Sequence, residues 1–412
     1  MRHLFATLLV LPLTVPCRAE EAKPNTLTAK EIADGWILLF DGETTFGWKA
    51  TNDSRWTITE GMLTPQAKTT GALVTTTAFN DYELSMEFQA KEGGYPQVIV
   101  SRRMDVQPKK VTTVGRVPPG ASADPTTEYI IPLQEMGKGW NRLRITVKGA
   151  RVVSSSFEGP DAAVKLKVEP IIPSLGPSHF ALAGNGFLVR NIKLKPLDTK
   201  PLFNGKDLTG WKKFEADLKR AKSQYTVTKE GWLSIKNGPG DLQTTGEWAD
   251  FVLQLDCRTN GDNLNSGVFF RCIPDQYQNG YEAQIQNQRA KTLKTYTVEE
   301  YDPKTHKVAD KKKVENWSQD YGTGAIYRRV PARRAAAKDR EWFTMTVVAR
   351  GRHLATWVNG IQTVDWNDNR PEKDNARNGC RLKKGPISLQ GHDPTTDLSF
   401  RNLRIADLAG KN

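Results

Sequence analysis

Apolar and polar residues alternate in short runs along most of the chain. "YELSMEFQA" (82–90), "FVLQLDCRT" (251–259), "SGVFFRC" (266–272), "WFTMTVVAR" (342–350) and "LATWVNG" (354–360) either switch character every second residue or stay apolar for a few positions. That is the period of a β-strand, not of a helix. Gly, Asn, Asp and Pro separate these runs, and only 28–34 and 214–221 have a brief helical pattern. Many short strands punctuated by turn residues predict an all-β sandwich or jelly roll. The segment "NGYEAQIQNQ" (279–288) sharpens this expectation: Tyr281, Ala283 and Ile285 fall on one face, and Glu282, Gln284 and Gln286 on the other. The polar set is either a wetted surface or a ligand site.

The chain also repeats itself. "LLFDGETTFGWK" (38–49) returns as "PLFNGKDLTGWK" (201–212), and "GALVTTTAFNDYELSMEF" (71–88) returns without a gap as "GDLQTTGEWADFVLQLDC" (240–257). "GWNRLRITVKGARVVSSSFEG" (139–159) parallels "REWFTMTVVARGRHLATWVNG" (340–360), and "RNIKL" (190–194) parallels "RNLRI" (401–405). A spacing this long belongs to duplicated domains and not to a solenoid. The expected boundaries are 28–198 for a first sandwich and 199–408 for a second, a division that suits 412 residues.

Composition narrows the setting. Residues 1–19 read as an export signal, with Arg2 and His3 ahead of "LFATLLVLPLTV" and a small-x-small site at Cys17-Arg18-Ala19; acylation of Cys17 is the alternative. A periplasmic or cell-surface location follows as an expectation, and it removes nucleic acid from the expected partners. No later apolar run approaches the length of a membrane span. Cys257, Cys272 and Cys380 remain, an odd number without metal-knuckle spacing, and are expected to be small buried hydrophobes. The formal net charge is +13, and residues 289–340 hold fourteen Lys and Arg against seven Asp and Glu. Such an insertion is either solvated or attracts an acidic glycan.

Six motifs occur together in order: "PLFNGKDLTGW" (201–211), "NSGVFFR" (265–271), "NGYEAQIQ" (279–286), "TGAIY" (323–327), "EWFTMTVVARGRHLATWVNG" (341–360) and "GPISLQGH" (385–392) with "FRNLRI" (400–405). Together they resemble the 3-keto-disaccharide hydrolase domain family over residues 200–407, and more weakly over 35–196. The resemblance implies two tandem concanavalin A-like jelly-roll domains, the first degenerate, and action on glycosides already oxidised at C3. A ketone there acidifies the C2 proton, so a base can remove it, the C1 substituent can leave, and water can add to the enone. Such chemistry needs a base, a stabiliser for the enolate and a proton donor.

Strand parity supplies candidates. Arg271, the trio Glu282, Gln284 and Gln286, and the pair Gln390 and His392 each fall on the non-core side of their strands. Glu282 is the candidate base, His392 the acid because its ordinary pKa is near neutrality, and Arg271 the enolate stabiliser. Asn265, Gln284, Gln286, Tyr327 and Gln390 are candidates for binding sugar hydroxyls. In the first copy "TEYIIPL" (127–133) puts Ile130 opposite Glu282, and "ALAGNG" (181–186) puts Ala183 against Gln390 and Asn185 against His392. Only the second copy is therefore expected to be catalytic. The paired carboxylates of an ordinary sandwich glycosidase are absent as a motif. The rival expectation is a glycan-binding, lectin-like protein. No motif implies a cofactor or a metal, and a Ca²⁺ held by loop oxygens would leave little trace.

Overall fold

A computed structural model describes residues 23–66, 71–105, 129–133, 139–149, 151–160, 163–167 and 176–409. Among these, helix is limited to Ala29–Ala33, started by a capping box between Thr28 and Glu31, and to single 3-10 turns at Leu218–Arg220 and Gln319–Tyr321. Strands between Ile37 and Pro196 form one pair of antiparallel sheets, and strands between Lys200 and Asp407 form a second pair together with a separate two-stranded hairpin. In each half an eight-stranded sheet packs on a five-stranded one. The result is two tandem jelly-roll β-sandwiches.

The five-stranded sheets share one order. In the first half it runs Trp48–Ala50, Ala72–Thr75, His179–Ala183, Gln97–Ser101, Tyr129–Pro132; in the second it runs Trp211–Lys213, Gly240–Thr244, Ser388–Gly391, Ser266–Phe270, Tyr281–Ile285. Their registers superpose as well. Leu182 pairs with Val98 and Leu389 with Val268, while Ile99 pairs with Ile130 and Phe269 with Glu282. Ile130 and Glu282 therefore occupy equivalent strand positions.

The repeated motifs have structural explanations. The indole N–H of Trp48 donates to Leu39 O at 2.5 Å, and that of Trp211 to Leu202 O at 2.9 Å, pinning each "GW" to the start of its domain. In each "RN" the asparagine, Asn191 or Asn402, is left-handed with φ 53° at a break in register. Asn tolerates that conformation better than most residues. Its side-chain amide donates at 2.8 Å to Glu87 in the first domain and Asp256 in the second. The adjacent arginine binds the same carboxylate and lies over an indole: Arg190 over Trp140 at 3.9 Å and Arg401 over Trp342 at 4.1 Å.

The two sandwiches share a seam. Val252, Val348, Ala355 and Trp357, on the outer side of the second domain's larger sheet, join the apolar cluster of the first. The Trp357 indole donates to Leu38 O at 3.0 Å, and Gln254 to Gly35 O at 2.9 Å. Much of the basic 289–340 segment is committed inside the chain. Lys311 pairs with Glu299 and Lys312 with Glu300 across the hairpin of Arg289–Tyr301 and Val308–Ser318, while Arg333 and Arg334 reach Asp41 and Glu43 of the first domain. Cys257, Cys272 and Cys380 are buried and unpaired. The expected export signal and Cys17 lie outside the described residues, and no described helix is long and apolar enough to cross a membrane.

Trp357 is 1 % exposed, so truncating it leaves a large void and frees the Leu38 carbonyl. Trp357→Ala should cost about 3–5 kcal/mol in urea denaturation. An unchanged midpoint would show that the seam contributes little.

Candidate active site

Strand Tyr281–Ile285 sends Tyr281, Ala283 and Ile285 into the second core, leaving Glu282 and Gln284 on the outer face of the five-stranded sheet. Glu282 lies across its neighbour on Ser266–Phe270. A Cβ on Gly267 would come within 2.6 Å of Glu282 Oε1 and 2.8 Å of its Cγ, so glycine there makes room for the carboxyl. Ser388, Gln390, Asp241 and Gln243 continue the polar face on the next two strands.

This face is not a wet surface. Glu282 is 6 % exposed, and Asp241, Gln284, Ser388 and Gln390 are 1–2 %. Three loops meet it. From 273–279, Gln278 N–H donates to Asp241 Oδ2 at 2.7 Å and Gln276 O accepts from Gln243. Residues 323–327 run along the sheet edge, with Gly324 N–H donating to Gln284 O and Tyr327 N–H to Glu282 O. From 371–384, Arg377 Nη2 stands 3.3 Å from Glu282 Oε2 while its Nε donates to Gln278 O at 2.9 Å. A cavity of about 60 Å³ remains between Glu282, Tyr327, Arg328, Arg329 and Arg377, room for water but not for a sugar ring.

Burial controls the electrostatics. It pushes the Glu282 carboxyl up to about 7; the Arg377 cation pulls it down, and the nearby Asp241 pushes it up further. Asp241 is likewise raised to about 7 by burial, opposed by the Gln278 N–H. Two carboxyls on one face thus titrate near neutrality. Gln284 Oε1 and Gln390 Oε1 have no hydrogen-bond partner among the described residues, while the Ser388 hydroxyl faces the Asp241 carboxyl and helps to hold its pKa down. Buried acceptors are rarely left so. Hydroxyl donors would satisfy them. Among the described residues no group of three or more His, Cys, Asp or Glu could hold a metal ion.

The structure gathers some of the expected residues and disperses others. Glu282, Gln284, Gln390 and Tyr327 meet at this face, and Asn265 touches it through Gln284 at 3.4 Å. Gln286 instead accepts from Gln288 N–H at 3.1 Å and ties down the strand end. Arg271 is not on the polar face. It is fully buried with φ 49°, and its guanidinium donates to Ala249 O, Gly351 O, Arg381 O and Asp250. The turn in its backbone takes it off the parity of Ser266–Phe270. His392 lies one residue beyond Ser388–Gly391, exposed and bonded to Asp393 at 2.8 Å, and does not line the Glu282 cavity.

Asp241, Gly267, Ser388 and Arg377 were missed. Asp241 had a signal, because "GDLQTT" aligns with "GALVTT" and sets it against Ala72. Arg377 had none, lying in an aperiodic stretch. In the first domain the equivalent positions are Ala72, Val74, Ile99, Ala181 and Ala183, an apolar cluster of its own.

Comparison with solved structures finds two crystal structures from Parabacteroides distasonis, each described as a "putative glycosyl hydrolase". One is 21 % identical, covering 51 % of this chain and 93 % of its own, with a TM-score of 0.36; the other is 23 % identical, covering 51 % and 99 %, with a TM-score of 0.35. A carbohydrate-binding module from Bacillus subtilis is 14 % identical, covering 48 % and 95 %, with a TM-score of 0.30. No curated protein matches. One family model, that of the 3-keto-alpha-glucoside-1,2-lyase-like domain, matches residues 35–117 and 198–406. These spans take in well over half of the sequence and include every strand of the Glu282 face, and the chain therefore belongs to the 3-keto-alpha-glucoside-1,2-lyase-like domain family.

Proposed function

We propose that the second domain cleaves glycosides whose sugar ring carries a ketone at C3, and that Glu282 is the base. The observation that supports this most is the pair of buried carboxyls poised near neutrality on a face of unpartnered acceptors, at positions where the first domain is apolar. A sugar ring brings several hydroxyl donors to such a face.

The roles follow from the surroundings. Glu282 has a cation within 3.3 Å and is the carboxyl favoured as the anion; Asp241 has no ion pair among the described residues, feels Arg377 and Arg220 only at longer range, and is favoured as the acid. Glu282 takes the C2 proton, and the electron pair is held as an enolate on the C3 oxygen with Arg377 as its stabiliser. The pair then forms C1=C2 as the C1–O bond breaks, and Asp241 protonates the departing oxygen. Water adding its oxygen to C1, with the Glu282 proton returning to C2 and the water proton to Asp241, restores both groups and releases the 3-keto sugar. Arg377 thus takes the role the sequence pattern assigned to Arg271, and Asp241 that of His392. Export to the periplasm or cell surface belongs to the same proposal.

Admission of a ring requires the 371–384 segment to move. Arg370 anchors one end through Asp368, Ala376 O and Gly379 O, and Arg381 anchors the other through Arg271 O. Between them the Arg377 side chain reaches Gln278 O at 2.9 Å, Glu282 at 3.3 Å and the Phe269 ring, whose centre is 5.4 Å from the guanidinium.

The decisive experiment incubates the protein with a 3-keto-disaccharide and with its unoxidised parent. Release of 3-keto-glucose from the oxidised sugar alone is expected, with kcat lowered about 10²–10⁴-fold in Glu282→Gln. Binding of either sugar without turnover would replace catalysis by a lectin-like role. The rate should follow a bell in pH centred near 7: protonation of Glu282 abolishes it on the acid side, and ionisation of Asp241 on the alkaline side. Asp241→Asn should remove the alkaline limb, and a profile flat from pH 5 to 9 would exclude these roles. Gly267→Ala pushes the Glu282 carboxyl off its seat and should lower kcat more than tenfold with little change in thermal stability.

A further inference from the structure

The seam between the sandwiches contains a second polar cavity, of about 350 Å³, which shares no residue with the Glu282 site and is large enough for a small organic ligand. The first domain contributes Thr76 and His179, and the second Asp250, Arg350, His353 and Asn367. Several of its polar groups are already committed. Asp365 Oδ1 accepts from Thr76 Oγ1 at 2.8 Å and from His353 Nε2 at 2.6 Å, which leaves His353 Nδ1 free. Asp250 Oδ1 accepts from Arg271 Nη2 at 3.0 Å and from Gly351 N–H at 2.9 Å. His179 bonds Thr75 O through Nδ1 at 2.7 Å, and burial lowers its pKa to about 4, so it is neutral with Nε2 as an acceptor.

What remains uncommitted defines a ligand. The half-buried Arg350 guanidinium donates no hydrogen bond to any described residue; burial lowers its pKa, the Asp250 carboxylate attracts it and Arg102 repels it. The Asn367 amide is also unused. The cavity therefore offers a cationic fork, an amide, the acceptor nitrogen of His179 and the second ring nitrogen of His353. A carboxylate complements the fork with two parallel hydrogen bonds, and hydroxyl groups complement the imidazole nitrogens. The local charge balance selects a monoanion, because Arg350, Arg102 and Arg271 exceed Asp250 and Asp365 by one. A phosphate dianion would add a second charge facing the two carboxylates.

We propose that the seam cavity binds a sugar acid, a ring bearing one carboxylate and several hydroxyls, gripped by Arg350 from the second domain and His179 from the first. The site is independent of the Glu282 chemistry. Isothermal titration of the full chain with D-glucuronate tests it, with glucose lacking the carboxylate and acetate lacking the hydroxyls. Glucuronate should bind at least tenfold more tightly than either. Arg350→Met should weaken it at least tenfold, and Arg350→Lys, which keeps the charge without the fork, should fall between and remain informative if the Met variant does not fold. Glu282→Gln should bind glucuronate as the parent does. No binding of glucuronate, equal affinity for acetate, or undiminished affinity in both Arg350 variants would overturn the proposal.

Discussion

A strand shows alternate residues to opposite faces, and that constraint organises this protein. The core side of each five-stranded sheet has to match the sheet packed against it, and both halves keep it apolar in the same register: Leu73 and Leu242, Val98 and Val268, Leu182 and Leu389. The other side has no such obligation. In the first domain it carries Ala72, Val74, Ile99, Ala181 and Ala183; in the second, Asp241, Gln243, Phe269, Ser388 and Gln390. A polar face could be written onto one copy, or lost from the other, without changing the core.

Burial gives that polar face its electrostatics. A solvated glutamate at neutral pH is a weak base whose proton affinity is far below what carbon acids need. Beneath the loops, Glu282 loses water and its pKa rises to about 7, which suits the role of base proposed for it. Arg377 limits the rise and keeps the anion accessible. Arg370 holds the carbonyls of Ala376 and Gly379 on either side of Arg377, and Arg329 holds Arg377 O, so it is the Arg377 side chain, the charge that tunes Glu282, whose displacement would open the face. Tuning and access depend on the same side chain.

The sequence made the sandwiches, their duplication and the polar parity of Glu282, Gln284 and Gln390 legible, because each rests on local alternation or on comparison of the two copies. It failed where a residue leaves the strand. Parity carried one step too far put Arg271 on the polar face, whereas its left-handed backbone turns the side chain under three carbonyls. His392 failed in the same way, just beyond Gly391. Arg377 was illegible because its position is set by tertiary anchors, Arg370 and Arg381, that leave no period. Asp241 is visible in the gap-free alignment, where it stands against Ala72.

Arg271 also shows how the second domain joins its two faces. The seam packs on the outer side of the eight-stranded sheet, through Val252, Val348 and Ala355, while the Glu282 face is the outer side of the five-stranded one. A sandwich core, about 10 Å between sheets, separates them. Arg271 follows directly on the strand that carries Gly267, and its Nη2 binds Asp250, which lines the seam cavity. Its Nη1 binds Arg381 O, and Arg381 in turn binds Arg271 O at the foot of the Arg377 segment. A buried guanidinium needs all of its donors satisfied, so Asp250, the strand bearing Gly267 and the base of the loop bearing Arg377 are held in one hydrogen-bonded arrangement. Sequence parity had assigned Arg271 to substrate; the structure uses it to tie the seam to the loop over Glu282.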